Sequence, residues 1–177
     1  MRFLSILVLA LAGVAWAEDK PKEWQLFSPE GGKFQVTVPG KPRELQQQIT
    51  LPDGKATVYM FAVEPDPNSA YLSSYVDLSS DPLPADRLKQ ALDGCQDGNA
   101  KSLKGTVQSQ KEITIGKAKH PGREIVIVVP EKKQVYRARV YMVGGRLYQV
   151  VALGSKEFAE SKDTDKFLGS FKLIDSD

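Results

Sequence analysis

Five side chains suited to binding charged or planar groups flank the dipeptide Gly144-Gly145. They are Arg137, Arg139, Tyr141, Arg146 and Tyr148. Arginine forms charge-assisted hydrogen bonds with carboxylates and phosphates, and tyrosine supplies rigid contact area at interfaces. We therefore treat this group as a candidate binding site for a ligand or a protein partner. The alternative is an ordinary sheet face, because arginine stems often cover apolar surface while their charged ends reach water.

The two glycines predict a two-residue β-hairpin turn, and such a turn determines which residues face each other. On one face the predicted pairs are Val143 with Arg146, Tyr141 with Tyr148, Arg139 with Val150 and Arg137 with Ala152. On the other face the predicted pairs are Met142 with Leu147, Val140 with Gln149, Ala138 with Val151 and Tyr136 with Leu153. The second face is mostly apolar, so we expect it to pack against a helix.

Cys95 and His120 are the single cysteine and the single histidine of the chain. One residue of each kind, without recognisable ligand spacing, does not build a typical transition-metal site, so we predict neither metal nor cofactor. Cys95 lies at helical spacing from apolar residues such as Leu92 and Leu103, which places it on the buried side of a helix and indicates a structural thiol. A nucleophilic Cys95-His120 pair lacks the flanking motifs of known catalytic cysteines.

Acidic residues leave a carboxylate-based hydrolase open as an alternative. Asp77 and Asp81 flank a predicted strand end and Glu124 begins another strand, but their spacing identifies no catalytic pair. The chain also lacks a nucleophile elbow, a phosphate-binding loop and a dinucleotide fingerprint. These observations favour a binding protein over an enzyme.

The first residues predict export. A cationic start at Arg2, an apolar stretch from Phe3 to Val14 and small residues at positions 15 and 17 indicate a secretory signal peptide over residues 1–17, cleaved after Ala17. The stretch is shorter than the roughly 20 residues that span a bilayer. Glu18 stands where a lipoprotein requires cysteine. We expect a periplasmic or secreted protein without a stable membrane anchor.

Composition predicts one ordinary globular domain. The chain has 177 residues and a formal net charge of +2, which becomes +1 when Arg2 leaves with the signal peptide. Basic and acidic residues alternate along most of the chain, which argues against nucleic acid as a partner. We expect a polar linker over residues 18–23 and a single domain over residues 24–174.

The predicted elements are mostly strands. Runs with β-type patterning cover residues 24–28, 33–38, 43–51, 56–63, 71–78, 107–115, 123–129, 135–143 and 146–153. Helical spacing covers residues 85–103 and, more briefly, 156–168. Gly94 and Gly98 indicate either close packing of the first helix against a neighbour or its end near Gly98. Residues 171–174 form either an edge strand or a packed tail.

The order of these parts resembles the PsbP-like family. The resemblance covers residues 24–173 and rests on Phe34-Gln35-Val36-Thr37-Val38-Pro39, the long helix, His120-Pro121-Gly122-Arg123-Glu124, Tyr136-Arg137-Ala138-Arg139-Val140-Tyr141, Arg146-Leu147-Tyr148-Gln149-Val150 and Phe167-Leu168-Gly169-Ser170-Phe171-Lys172. It implies an α+β fold in which helices flank both faces of a mostly antiparallel sheet, an α/β/α sandwich. These signatures include no catalytic or cofactor motif, so the resemblance implies no activity.

Taken together, the sequence predicts an exported accessory or binding protein that contacts another envelope protein or a small ligand. The alternatives are a small-molecule or lipid-binding envelope protein, and a hydrolase with an unrecognised carboxylate site.

Overall fold

The computed structural model describes residues 23–51 and 54–174. The predicted signal peptide and residues 18–22 of the predicted linker lie outside the described residues. Within the described ranges, no helix is long and apolar enough to cross a membrane.

Ten strands and three α-helices form the described part of the chain. The strands are β1 (Trp24–Phe27), β2 (Phe34–Pro39), β3 (Arg43–Leu51), β4 (Gly54–Asp66), β5 (Ser69–Asp77), β6 (Thr106–Ile115), β7 (His120–Val129), β8 (Gln134–Val143), β9 (Arg146–Gly154) and β10 (Lys172–Leu173). The helices are α1 (Ala85–Leu103), α2 (Lys156–Ala159) and α3 (Lys162–Ser170).

Seven strands form one antiparallel sheet in the order β3-β4-β5-β9-β8-β7-β6. A smaller antiparallel sheet has the order β1-β2-β10. The predicted α+β class with a mostly antiparallel sheet is confirmed. Pairing of β10 with β2 also shows that residues 172–173 form a short strand.

The Gly144-Gly145 hairpin has the predicted register. Tyr141 lies opposite Tyr148 and Met142 lies opposite Leu147, and the other six predicted pairs are also present. Gly144 has a φ of +60°, a conformation that glycine adopts without steric cost. The turn therefore determines which side chains of β8 and β9 share each face of the sheet.

Helix α1 packs on the face that carries Tyr136, Ala138, Val140 and Met142, which we call the front face. Leu92, Cys95 and Leu103 of α1 belong to the same buried cluster as these front-face residues. The predicted helix on the apolar side of the hairpin is thus confirmed. Burying each large apolar side chain contributes about 1.5–3 kcal/mol relative to leaving it exposed.

The opposite face, which we call the back face, carries Tyr141, Tyr148 and the arginines of β8 and β9. Its covering residues come from β2, α3 and the segment that follows α3. They are Phe34, Val36, Val38, Phe167, Leu168 and Phe171, and all belong to one buried cluster with Tyr141 and Tyr148. The back face is therefore an interior surface.

Helix α1 has the predicted bounds, residues 85–103, and therefore does not end near Gly98. Lys104 follows it in a left-handed conformation with a φ of +52°. A Cβ atom at Gly94 would meet no atom within 4 Å, so Gly94 does not mark a close approach. The predicted helix over 156–168 is two helices, because Ser161 caps α3 by accepting a hydrogen bond from the backbone N–H of Thr164.

Replacement of Gly122 by alanine should destabilise the fold. A Cβ atom at Gly122 would overlap the ring of Tyr141 and would lie 2.6 Å from the carbonyl oxygen of Val140. We expect Gly122→Ala to lower the free energy of unfolding by about 1–3 kcal/mol in chemical denaturation, as overpacking does elsewhere. Gly94→Ala is the matched control and should instead stabilise by about 0.5–1 kcal/mol, because alanine favours the helix. Equal stability of the two variants would contradict this packing.

Candidate functional site

The two predicted site tyrosines are buried on the back face. Tyr141 stacks on Phe171 with ring centroids 5.7 Å apart, and Tyr148 meets the ring of Phe34 edge to face at 5.9 Å. Burial raises the pKa of both phenols. The structure brings these rings together, and it places them beneath the layer formed by β2 and α3.

Arg137 and Arg139 connect the sheet to the helices above it. Arg137 Nη1 lies 2.7 Å from Asp165 Oδ1 of α3, and Arg139 Nε lies 2.8 Å from Glu124 Oε2 of β7. Arg139 also donates to the carbonyl oxygen of Leu168 at 3.2 Å. These charged groups thus already have partners within the domain, and a role for them in binding remains a prediction.

Arg146 has the densest set of contacts among the predicted site residues. Its Nε and Nη2 lie 2.6 and 2.8 Å from the two carboxylate oxygens of Asp77, which is a bidentate ion pair. Its Nη1 donates to the carbonyl oxygen of Gly31 at 2.7 Å, and its guanidinium lies 4.5 Å from the ring centre of Tyr75. Hydrogen bonds with Asp77 raise the pKa of Arg146. Arg146 therefore joins the turn before β2 to the large sheet.

Two of the candidate catalytic carboxylates, Asp77 and Glu124, do not converge. Asp77 of β5 and Glu124 of β7 are separated by three strand spacings, roughly 14 Å, whereas paired catalytic carboxylates of glycosidases lie about 5–9.5 Å apart. Strand alternation places His120 on the back-face side with Glu124, while Cys95 packs against the front face. In the described residues, no group of three or more metal-ligating side chains is present.

Cys95 belongs to a buried polar cluster between α1 and the front face, as the sequence predicts for a structural thiol. Its sulfhydryl donates to Gln149 Oε1 at 3.3 Å, and Asn99 Nδ2 donates to Tyr136 OH at 2.8 Å and to Gln149 Oε1 at 3.2 Å. Burial raises the pKa of Cys95 to about 12 and that of Tyr136 well above its usual value. Both groups therefore stay protonated at neutral pH and act as hydrogen-bond donors or acceptors.

A groove of about 490 Å³ lies beside this cluster, between the first half of α1 and the β6–β7 hairpin. One wall is helical and largely apolar, and the other is the end of the hairpin. The lining residues are Ala85, Leu88, Lys89 and Leu92 of α1, and Glu112, Ile113, Thr114, Pro121, Gly122 and Arg123 of the hairpin. The volume falls within the range of about 300–1,000 Å³ that is typical of small-molecule sites.

Arg123 is the most unusual residue of the groove, because it is only 7% exposed. Its Nη1 lies 2.6 Å from Asp93 Oδ1 and 3.5 Å from Gln96 Oε1. Lys89 Nζ lies 2.8 Å from the other carboxylate oxygen of Asp93. Hydrogen bonds from Lys89 and then from Arg123 lower the pKa of Asp93, so its carboxylate stays ionised and balances the buried guanidinium.

Arg123 also lines the groove. A guanidinium carries five N–H donors, and the contacts with Asp93 and Gln96 both use Nη1. A guanidinium at the wall of a groove suits a ligand that carries a carboxylate or other oxygen acceptors.

Sequence reasoning did not identify this groove. One signal was present: Arg123 alternates with Ile125 and Ile127, so a charged residue lies on the core-facing side of β7. Such a position requires a counter-charge nearby. The counter-charge is Asp93, which lies 30 residues earlier in a different element and cannot be recognised from its spacing.

The fold and the groove define a sheet-dominated α+β domain with a cleft at one side of its main helix. No protein-family model matches the sequence, and no curated protein matches it significantly. Among solved structures, the solution structure of cyanobacterial PsbP (CyanoP) from Synechocystis sp. PCC 6803 is similar with a TM-score of 0.61 and 9% sequence identity. The match covers 91% of this chain and 98% of that chain. The chain therefore has a PsbP-like fold.

A second solved structure is a looser match. The crystal structure of PA94, a protein of unknown function from Pseudomonas aeruginosa, gives a TM-score of 0.42 and 14% identity over 80% of this chain and 90% of that chain. This likeness is too weak to support an interpretation. The likeness to CyanoP, at 9% identity, concerns the fold and carries no activity to this protein.

Cys95 should be unreactive in the folded protein. Only the thiolate reacts rapidly with iodoacetamide, and a pKa of about 12 leaves almost no thiolate at pH 8. Intact mass should show no alkylation under native conditions and one added group in guanidinium chloride. Rapid alkylation of the native protein, in a sample whose circular dichroism shows it to be folded, would contradict the buried position.

Loss of Arg146 should destabilise the domain more than loss of an exposed ion pair. Arg146→Gln removes the bidentate contact with Asp77 and the bond to Gly31, and we expect a loss of about 1–3 kcal/mol in the free energy of unfolding. Arg43→Gln is the matched control, because Arg43 and Glu64 form an exposed pair whose loss should cost under about 1 kcal/mol. Urea denaturation of both variants measures the difference. Similar losses would show that Arg146 does not join the two sheets.

Proposed function

We propose that the protein is an exported binding protein that holds a small ligand in the groove between α1 and the β6–β7 hairpin. The observation that carries the proposal is Arg123, a nearly buried arginine that lines the groove. A ligand that suits this guanidinium and the apolar wall has an acidic group, or a group of oxygen acceptors, joined to an apolar part.

The pairing of Arg123 with Asp93 supports this choice of ligand. A buried guanidinium is costly unless a counter-charge compensates it, and Asp93 supplies that charge at Nη1. This contact holds the planar guanidinium in place before a ligand binds. We propose that a ligand carboxylate accepts hydrogen bonds from Nε and Nη2, and that Arg123 loses little conformational entropy when it binds.

The helical wall supports the apolar part of the ligand. Ala85, Leu88 and Leu92 lie on the α1 side of the groove, and Leu88 and Leu92 belong to or pack against the front-face cluster. Lys89 stands at the rim with most of its side chain exposed, where it adds a second positive charge. An amphiphilic acid would place its carboxylate at Arg123 and its hydrocarbon along this wall.

Export is the second element of the proposal. It rests on the predicted signal peptide over residues 1–17 and on the small, simple domain predicted to follow it over residues 24–174. We propose a periplasmic or secreted location for the mature protein, without a stable membrane anchor. We propose that the protein carries or senses a small molecule there. The groove is a better candidate for this site than the back face, which is covered by β2 and α3.

We also propose that the fold is an α/β/α sandwich, with helices on both faces of the large sheet. Support comes from α1 on the front face and from α3 on the back face, where Phe167 and Leu168 reach the cluster of Tyr141 and Tyr148. The helices on the back face share their layer with β2.

Binding of simple amphiphilic acids tests the proposed function. Octanoate and phenylacetate are suitable probes, with octanol and phenylethanol as neutral counterparts, in thermal-shift and NMR titrations of the mature protein. We expect at least one acid to raise the melting temperature and to shift amide signals of α1 and β7. Arg123→Gln should weaken that binding at least tenfold, because it removes a charge-assisted hydrogen bond worth about 1.5–3 kcal/mol.

Two variants control for loss of folding. Arg87→Gln removes an exposed arginine of the same helix and should bind like the native protein. Leu88→Trp keeps Arg123 and fills the groove, so it should also abolish binding. Tight binding by a folded Arg123→Gln or Leu88→Trp variant, or absence of any shift with both acids, would refute the proposed ligand class at this groove.

A further inference from the structure

The two edges of the large sheet are protected to different degrees. β6 carries Lys111 and Glu112 and has a register shift between Val107 and Ser109. β3 has regular pairing with β4 on one side only, and residues 45–51 include no charge, proline or glycine. Charges and bulges are the usual devices that keep an edge strand from pairing with another chain. Over most of its length β3 lacks them.

The sequence of β3 is self-complementary about its centre. Gln47 is the middle of Leu45-Gln46-Gln47-Gln48-Ile49. If two copies of β3 pair in antiparallel fashion about a two-fold axis at Gln47, Gln46 faces Gln48 and Leu45 faces Ile49. A two-fold interface requires such self-complementarity, because the same surface has to serve both partners.

Burial along β3 agrees with this pairing. Ile49 is buried and Leu45 is half-buried against the front-face cluster, whereas Gln46 and Gln48 are exposed on the other side. Residues directly opposite each other in an antiparallel pair lie on the same face, so apolar side chains meet apolar ones. Glutamine amides both donate and accept hydrogen bonds, so the facing glutamines can pair with each other. Glu44 faces Thr50, so no like charges are opposed.

We propose that β3 is a self-association surface, through which two copies of this chain pair edge to edge in a two-fold antiparallel dimer. The partner is thus a second copy of the chain, and the contact extends the seven-stranded sheet into that copy. A single strand pair with few apolar side chains is a small interface, so the dimer depends on protein concentration. This inference is independent of the groove and its ligand.

Sedimentation equilibrium of the mature protein tests the dimer and its axis. Native protein should pass from monomer to dimer as its concentration rises from the micromolar to the millimolar range. Gln47→Lys and Gln47→Glu should each raise the dimer Kd several-fold, because like charges then face each other across the axis. An equimolar mixture of the two variants should dimerise again, since opposite charges meet. Gln110→Lys, the same substitution on the β6 edge, should leave the Kd unchanged.

Cross-linking gives a second measurement at the same residue. Residues opposite each other in an antiparallel pair have Cα atoms roughly 4.5–5.5 Å apart, and a disulfide spans about 4.4–6.8 Å. Gln47→Cys should therefore form a covalent dimer on mild oxidation that reductant reverses, whereas Gln110→Cys should not. Purely monomeric protein without a Gln47→Cys cross-link, or a dimer indifferent to both charges at position 47, would overturn the proposal.

Discussion

Both faces of the large sheet carry apolar side chains, and each face therefore has to be covered by a second layer. Alternation along β8 sends Val140 and Met142 to the front and Tyr141 to the back, so one strand supplies both cores. Helix α1 covers the front. The back is covered by β2 and α3, and the small sheet exists because β2 lies across this surface and pairs with β1 and β10. The order of elements follows from this requirement.

Charged residues on the back face follow from the same coverage. Once β2 and α3 lie over it, every guanidinium there has to find an acceptor, since an unpaired buried charge is costly. Arg139 uses Glu124 and the carbonyl oxygen of Leu168, and Arg146 uses Asp77 and the carbonyl oxygen of Gly31. Each arginine thus contacts both the sheet and its covering layer. Because the carboxylates of Asp77 and Glu124 remain partly exposed, these ion pairs add modest stability, and they orient the two layers relative to each other.

Local patterns predicted the parts of this fold that local contacts determine. The Gly144-Gly145 turn gave the register of β8 and β9, and helical spacing gave the extent of α1, because both depend on neighbouring residues. The break at Ser161 was missed, since a cap competes with an otherwise continuous helical pattern. The sequence did not predict that β2 and α3 cover the arginines and tyrosines of the back face, or that Arg123 pairs with Asp93. Both contacts join segments that are far apart in sequence, and the spacing of residues within one segment cannot predict them.

Coverage of the sheet also ends before its edges, and both proposed binding surfaces lie there. Helix α1 lies over β7 and β8, so the groove opens where the helix stops short of β6. At the other end, β3 has a free edge that no covering element pairs with among the described residues. The two edges are separated by six strand spacings, roughly 29 Å. Pairing of two copies through β3 would therefore leave both grooves open, so the proposed self-association and the proposed ligand binding would use separate parts of the same sheet.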